Sequence, residues 1–294
     1  DCQSIFGLAR EVAAALGEPL KTPALDYTET KVEKEGFNVT VEAQDLCPRY
    51  IAHYVYDVKL GQSPAWMRRR LALVGNNSIS NIVDITNYIM RELGQPLHAF
   101  DCDYLEGNAI NVRRAAEGEK IVTLDEKEFT LNPNNLVICD GKKPVALAGI
   151  MGGLNSEIRD TTTEVMFEAA KFARDNIRRS SRALGQGSDA SQRYSKGVDE
   201  YTTEMAMKRV LHLVEELGVG KISKTHKNVN TGNSLEPTTF KTSVKKVNAV
   251  LGITVPNEDI LRILTGLNFQ PEINGDELTM HFPAYREDME DYPD

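Results

Sequence analysis

The chain has 294 residues, 41% of them hydrophobic and 26% charged, ordinary values for a globular protein with room for one large domain or two to three small ones. A formal net charge of −9 argues against broad, non-specific nucleic-acid affinity, and the arginine groups at 68–70, 113–114 and 174–182 read as solvated faces. No run approaches the roughly 18 apolar residues of a membrane helix, and the start carries neither a signal peptide nor an initiator Met. The cysteines at 2, 47, 102 and 139 form no C-x-x-C pair and read as reduced, intracellular thiols.

Residues 4–16 space Ile5, Leu8, Ala9, Val12 and Leu16 as one helical face, with Ser4 placed to cap and Gly17 to stop it. A lone helix of this length is marginal in water, so its apolar stripe is expected to dock on something. Residues 18–36 are polar and read as a linker. From Phe37 the period becomes two, through Val39, Val41 and Ala43, and a β-rich run follows with Ile51, Tyr54, Tyr56 and Val58. Ser63-Pro64 opens a helix over 65–74, which Gly75 ends. Short strands are expected at 110–113, 121–124, 136–139 and 145–148, between Gly, Asn and Asp turns. A long amphipathic helix follows over 200–217. Residues 221–239 are polar and read as a second linker. Helices over 244–251 and 257–264 then precede a strand–turn–strand around Asn274-Gly275-Asp276, a winged-helix-like plan.

The familiar catalytic signatures are absent: there is no H-E-x-x-H, no G-x-S-x-G and no phosphate-binding lysine loop. The histidines at 53, 98, 212, 226 and 281 sit at no metal-ligand spacing along the chain. Four stretches nevertheless stand out. In the first, Thr86 and Asn87 precede Pro96 and His98, whose imidazole Asp101 could hold; a histidine there could move protons or orient water, or simply be hydrogen-bonded in the core. In the second, Gly149 to Gly153 reads as a tight turn after a strand. In the third, Glu168 sits in the apolar run Met166 to Ala170, where a carboxylate must reach the surface, as on a helix, or serve a purpose. In the fourth, Gly187 to Arg193 resembles a loop entering a helix, capped by Ser188 or Asp189.

Taken in order, Asp-Cys-x-Ser-Ile-x-Gly-x-Ala-Arg-Glu-Val-Ala over 1–13, Val83 to Tyr88, Glu92 to Asp101, Ala148 to Gly153, Glu168-Ala169-Ala170 and Ser188-Asp189-Ala190-Ser191-x-Arg193 resemble the β-subunit of bacterial-type phenylalanyl-tRNA synthetase. The resemblance runs along essentially the whole chain, and several long motifs in the right order make it specific. It implies an α+β chain cut from a longer one. On that basis 1–23 is the closing helix of a truncated N-terminal helical domain. Residues 37–225 are an editing domain, a mixed α/β body with a β-barrel-like core, and 237–294 a winged-helix-like domain. It implies hydrolysis of mischarged Tyr-tRNA(Phe) by a positioned water, with Thr86, Asn87 and His98 near the ester. Glu168 would read the tyrosine hydroxyl, while Gly152 and Ala190 leave room for the ring. It further implies a cytoplasmic enzyme with an α-subunit partner in an α2β2 assembly. No cofactor or metal is expected in this part, ATP and Mg2+ belonging to the parent enzyme. The alternative is a non-catalytic module that binds tRNA or the partner subunit. One departure is local: Gln192 and Tyr194-Ser195-Lys196-Gly197 stand where the family carries a more charged, aromatic run.

Overall fold

The structure is a computed structural model and describes residues 3–232, 236–287 and 289. It divides into two compact units, Pro23–Asn233 and the pair of segments Asp1–Thr22 and Ser234–Asp294. No helix among the described residues is long and apolar enough to cross a membrane.

In the second of these units, helix α1 (Ile5–Leu16) is capped as its sequence requires. The Ser4 hydroxyl accepts from the Gly7 amide at 2.9 Å, and Gly17 closes the helix in the left-handed region. The chain enters the larger unit through an irregular strap, 23–35. There follow β1 (Asn38–Val41), β2 (Arg49–Tyr56), α2 (Ala65–Leu73), α3 (Asn81–Leu93) and β3 (Leu97–Asp101). Next come β4 (Ala109–Arg114), β5 (Lys120–Val122), β6 (Glu128–Thr130), β7 (Leu136–Cys139), β8 (Pro144–Leu147), β9 (Met151–Gly152) and β10 (Val165–Lys171). Helices α4 (Arg174–Leu184), α5 (Asp189–Tyr194) and α6 (Glu200–Glu216) lead to β11 (Lys221–Asn230). The chain then returns to the smaller unit as β12 (Thr238–Ser243), α7 (Val244–Leu251), α8 (Asn257–Gly266), β13 (Glu272–Asn274) and β14 (Glu277–Phe282).

Two sheets build the larger unit. One is mixed, in the order β1-β4-β7-β8-β9, parallel only between β1 and β4; the other is antiparallel, β11-β2-β10-β3. Their inward residues, among them Tyr50, Ala52, Tyr54, Phe100 and Met166 from one sheet and Val112, Ile138 and Ala146 from the other, share a single core. Among the described residues neither sheet closes on itself, so the barrel-like core implied by the resemblance is two open sheets instead. Closure requires the strand edges to pair in a fixed stagger. Here the outer edge of β11 is taken by the strap: the Thr30 amide donates to the Ile222 carbonyl at 2.8 Å and the Lys224 amide to Val32 at 3.1 Å.

Three sequence expectations change. Residues 221–230, read as linker, form an edge strand in register with β2. Lysine and asparagine are poor strand formers, but a paired backbone overrides propensity, and lysine is a common edge residue. Glu168 is on no helix surface: β10 is a central strand with six of its seven residues buried. Asp101 does not hold the His98 ring. It lies three residues along β3, hence on the other face of the sheet, and accepts from the Thr162 hydroxyl at 2.5 Å and the Asp103 amide at 3.0 Å.

The smaller unit gains a strand beyond the winged plan, its sheet running β12-β14-β13 over a core of Ile260, Phe269, Leu278, Met280 and Phe282. Helix α1 approaches α8 closely, since a Cβ on Gly266 would meet the Ala14 Cα at 3.3 Å. The expected apolar stripe is not what docks, however: Ile5, Leu8, Val12 and Leu16 remain exposed.

Candidate active site

The register of one sheet creates the site. In β10, Met166, Glu168 and Ala170 point toward the shared core, and Glu168 lies directly opposite Ala52 of β2 on one side and His98 of β3 on the other. His98 reaches that position because α3 ends at Gly94 in the left-handed region and Gln95-Pro96 turn the chain straight into β3. The Gln95 side chain is fully buried and pins this turn. Its amide donates to the carbonyls of Pro96 at 2.8 Å and Ala170 at 2.9 Å, and its oxygen accepts from the Thr203 hydroxyl at 3.1 Å. The Tyr194 hydroxyl also donates to Ala170, at 2.9 Å, so a buried polar network locks β3, β10, α5 and α6 together.

Above Glu168 and His98 opens a cavity of about 290 Å³, at the small end of the roughly 300–1,000 Å³ range of ligand pockets. That size suits a single aromatic side chain. Asn87 and Met90 reach it from α3, Gly149 to Gly152 from the turn between β8 and β9, and Ser188, Asp189 and Ala190 from the start of α5. The α5 entry is a capping box, in which Ser188 and Ser191 bond each other's amides at 3.0 and 2.8 Å. The Ser188 hydroxyl also donates to the Ile150 carbonyl at 2.6 Å, tying that entry to the glycine turn. Gly149 sits at φ +66, and Gly152 lies against the imidazole: a Cβ there would stand 2.6 Å from the His98 Cε1. The tight turn read from the sequence is therefore present, and a side chain at 152 would fill the space beside His98.

The electrostatics follow from burial. Glu168 is 5% exposed, and one of its oxygens accepts from the Tyr50 hydroxyl at 2.8 Å. Burial raises its pKa from 4.5 to about 7, against the smaller opposing pull of the Tyr50 bond. Tyr50 is itself fully buried, and its pKa is raised by that burial and then by the nearby carboxylate. Burial lowers the His98 pKa from 6.5 to about 4, so the ring is neutral at physiological pH. Among the described residues the buried His98 Nε2 has no hydrogen-bond partner, while the ring packs edge-on against Phe100 at 4.5 Å. A buried polar atom left unpaired costs about 1–3 kcal/mol, which marks a place where a ligand or water completes the bonding.

Five of the six residues singled out from the sequence thus line one cavity: Asn87, His98, Gly152, Glu168 and Ala190. Thr86 does not. It is buried on the neighbouring position of α3, and its hydroxyl donates back to the Val83 carbonyl at 2.7 Å. Tyr50 was missed, because nothing in linear spacing links a residue to one 118 positions away. Gln95 left a weak signal as an uncharged polar residue just before Pro96. Among the described residues, no group of three metal-ligand side chains lies within this cavity.

With this geometry in view, the chain is similar to known proteins along nearly its full length. The B3/4 domain family matches residues 46–219, and the tRNA synthetase B5 domain family matches 240–294. The phenylalanine–tRNA ligase β-subunit of Syntrophus aciditrophicus (strain SB) is 46% identical over 298 residues, covering 98% of this chain and 36% of that protein. The β-subunit of Clostridium tetani (strain Massachusetts / E88) is 42% identical over 290 residues, with the same coverage of 98% and 36%. A solved N-terminal fragment of the phenylalanyl-tRNA synthetase β-subunit from Pyrococcus horikoshii overlays with a TM-score of 0.46 at 16% identity, covering 98% of this chain and 79% of that one. The chain spans about 36% of the length of these curated relatives.

Proposed function

The chain belongs to the phenylalanine–tRNA ligase β-subunit family, whose B3/4 and B5 domains it carries, and we propose that its cavity hydrolyses the ester of tyrosine mischarged onto tRNA(Phe). The observation that carries this reading is Glu168, a buried carboxylate on the floor of a cavity sized for one aromatic ring. A pocket shaped for phenylalanine cannot strongly reject tyrosine, which only adds a hydroxyl. A second pocket built to bond that hydroxyl sorts the other way, because phenylalanine leaves the buried polar group unpaired.

In this mechanism the phenol enters between β10 and the glycine turn and bonds the Glu168 carboxyl beside Tyr50. Gly152 and Ala190 leave the ring its space. The ester then lies near His98 and Asn87. At pH 7 the imidazole is neutral, so it serves as a hydrogen-bonding partner that orients the attacking water. Asn87 offers a donor to the carbonyl, whose oxygen gathers charge in the tetrahedral intermediate. Thr86 lies outside the cavity, its hydroxyl bonded back to the Val83 carbonyl, and takes no direct part in this mechanism. The tRNA and an α-subunit partner in an α2β2 enzyme belong to the same proposal, as do ATP and Mg2+ elsewhere in the parent protein.

The test is deacylation of Tyr-tRNA(Phe) and Phe-tRNA(Phe) by the complete ligase carrying this β-subunit, with and without Glu168→Ala. Selective loss of tyrosyl clearance in the variant supports the proposal; discrimination by such sites reaches on the order of 10⁴. Equal clearance by variant and wild type overturns it.

A further inference from the structure

A second cluster lies on the other face of the same sheet. His53 of β2 and His226 of β11 are directly opposite in the antiparallel register, and their rings stack with centroids 5.3 Å apart and planes 13° from parallel. The carboxylate of Glu29, on the strap, completes the group, and one ligand atom from each of the three lies within 4.8 Å of the others. No linear motif announces this cluster, because the residues come from the strap, the second strand and the eleventh. A register irregularity in β11 between Ile222 and His226 sets where the second imidazole falls; such bulges at sheet edges commonly re-aim a side chain.

The hydrogen bonds of the two rings are those of ligands. The His53 Nε2 lies 2.9 Å from the Ser223 carbonyl, and the His226 Nδ1 lies 3.1 Å from the Lys224 carbonyl. A carbonyl oxygen only accepts, so each of these nitrogens carries a proton and the other nitrogen of each ring is the one free to take a metal. In the neutral ring the lone pair is then on the His53 Nδ1 and on the His226 Nε2. Histidines that bind metals show this arrangement, with one nitrogen donating to a carbonyl or carboxylate and the other on the ion. Two imidazoles and one carboxylate form a borderline-soft donor set that suits zinc and its neighbours rather than magnesium or calcium. His53 is 3% exposed, whereas Glu29 and His226 are exposed.

We propose that Glu29, His53 and His226 bind one divalent transition-metal ion of the zinc class, which clips the strap to the outer strand of the antiparallel sheet. Hydrogen bonds from Thr30 and to Val32 already hold the strap at this edge, on either side of which the ion would add a fixed cross-link. The site faces away from the cavity of Glu168, so its occupancy is separable from hydrolysis.

The experiment is titration of the chelator-treated full chain with Zn2+ by calorimetry and with Co2+ by visible absorption, alongside thermal melting. The expected result is one equivalent bound, Co2+ d–d bands and a higher Tm with metal. Glu29→Gln and His226→Ala, both at exposed positions, are each expected to weaken binding at least about tenfold, with the metal-free Tm unchanged. His281→Ala, in the other compact unit, should bind as wild type does. Absence of a saturable equivalent, or binding that survives both Glu29→Gln and His226→Ala undiminished, overturns the proposal.

Discussion

Replacing Glu168 with glutamine should make the larger unit more stable in a way that depends on pH. Glutamine keeps the shape and still accepts from the Tyr50 hydroxyl, which reaches the carboxylate at 2.8 Å in the wild type. What it removes is a buried acid whose pKa rises from 4.5 in the unfolded chain to about 7 in the fold. Between those values the native state holds the proton more tightly than the unfolded state does, so wild-type stability falls as pH rises through the window. The penalty is absent well below pH 4.5 and complete above about pH 7. At about 1.4 kcal/mol per pH unit the full effect amounts to roughly 3 kcal/mol. His98 acts in the opposite sense: its lowered pKa of about 4 means that stability is lost as pH falls from 6.5. The two slopes largely cancel in the wild-type curve between about 4.5 and 6.5, so the variant must be compared with the wild type rather than with itself. The measurement is urea unfolding at pH 4.5 and pH 8, followed by fluorescence of Trp66, the single tryptophan, which lies in the larger unit. Glutamine also adds one buried donor, whose pairing costs the same at every pH and so leaves the slope untouched. The expected outcome is a stability gain roughly 3 kcal/mol larger at pH 8 than at pH 4.5. A difference that does not change with pH would refute the reasoning that burial raises this carboxyl above its unfolded value.

Other consequences follow from the same geometry. Gly152→Ala places a methyl 2.6 Å from the His98 Cε1 and 2.9 Å from the Leu124 Cδ1; it should abolish tyrosyl deacylation while moving the Tm by only a few degrees, and an active variant would mean the ring does not sit there. Tyr50→Phe removes the one hydrogen bond that lowers the Glu168 pKa, so the carboxyl, followed by carboxylate-carbon NMR, should titrate at higher pH than in the wild type; a lower titration point would contradict the assignment. Asp84→Ala strands three donors that the buried carboxylate now accepts, the Ser63 hydroxyl at 2.6 Å, the Ser78 hydroxyl at 2.5 Å and the Ile79 amide at 2.8 Å. It should destabilise the larger unit by about 3 kcal/mol or more in urea unfolding, and a loss under 1 kcal/mol would show that water reaches these donors.

How much of this could be read from the sequence depends on the range of the interaction concerned. Local signals worked: Ser4 and Gly17 bound α1, Ser188 caps α5, and Gly149 to Gly153 make the turn, because each rests on neighbours a few residues apart. Sheet partners were not legible. Glu168 was read as a helix-surface residue because a strand buried on both faces gives a continuous apolar run, which periodicity cannot separate from a buried helix. Lys221 to Asn230 was read as linker because its lysines and asparagines face water at an edge. Helix α3 was legible and overlooked, since Ile82, Ile85, Ile89 and Leu93 repeat at helical spacing and all are buried. The site residues emerged through the family resemblance, which placed Asn87, His98, Gly152, Glu168 and Ala190 in one list before the fold placed them around one cavity.

The cross-strand pairing of His98 with Glu168 lets a single strand register serve both the recognition and the hydrolysis proposed above. Cross-strand neighbours on one face lie about 5 Å apart at their Cβ atoms, and in this dry pocket burial disfavours the charged form of each group. The two pKa values therefore move in opposite directions. The imidazole falls to about 4 and is uncharged at pH 7, while the carboxyl rises to about 7 and carries a proton part of the time. A neutral ring and a weak acid can sit side by side with little mutual cost, and each remains ready to bond a ligand. The carboxyl can accept from a phenol when ionised and donate to it when protonated, so hydroxyl recognition does not depend on one charge state. The proposed hydrolysis should accordingly show no inflection near 6.5 from His98, since that ring has already lost its proton near pH 4. An inflection at 6.5 that disappears in His98→Ala would mean that the imidazole is more open to water in the working enzyme than it is in this fold.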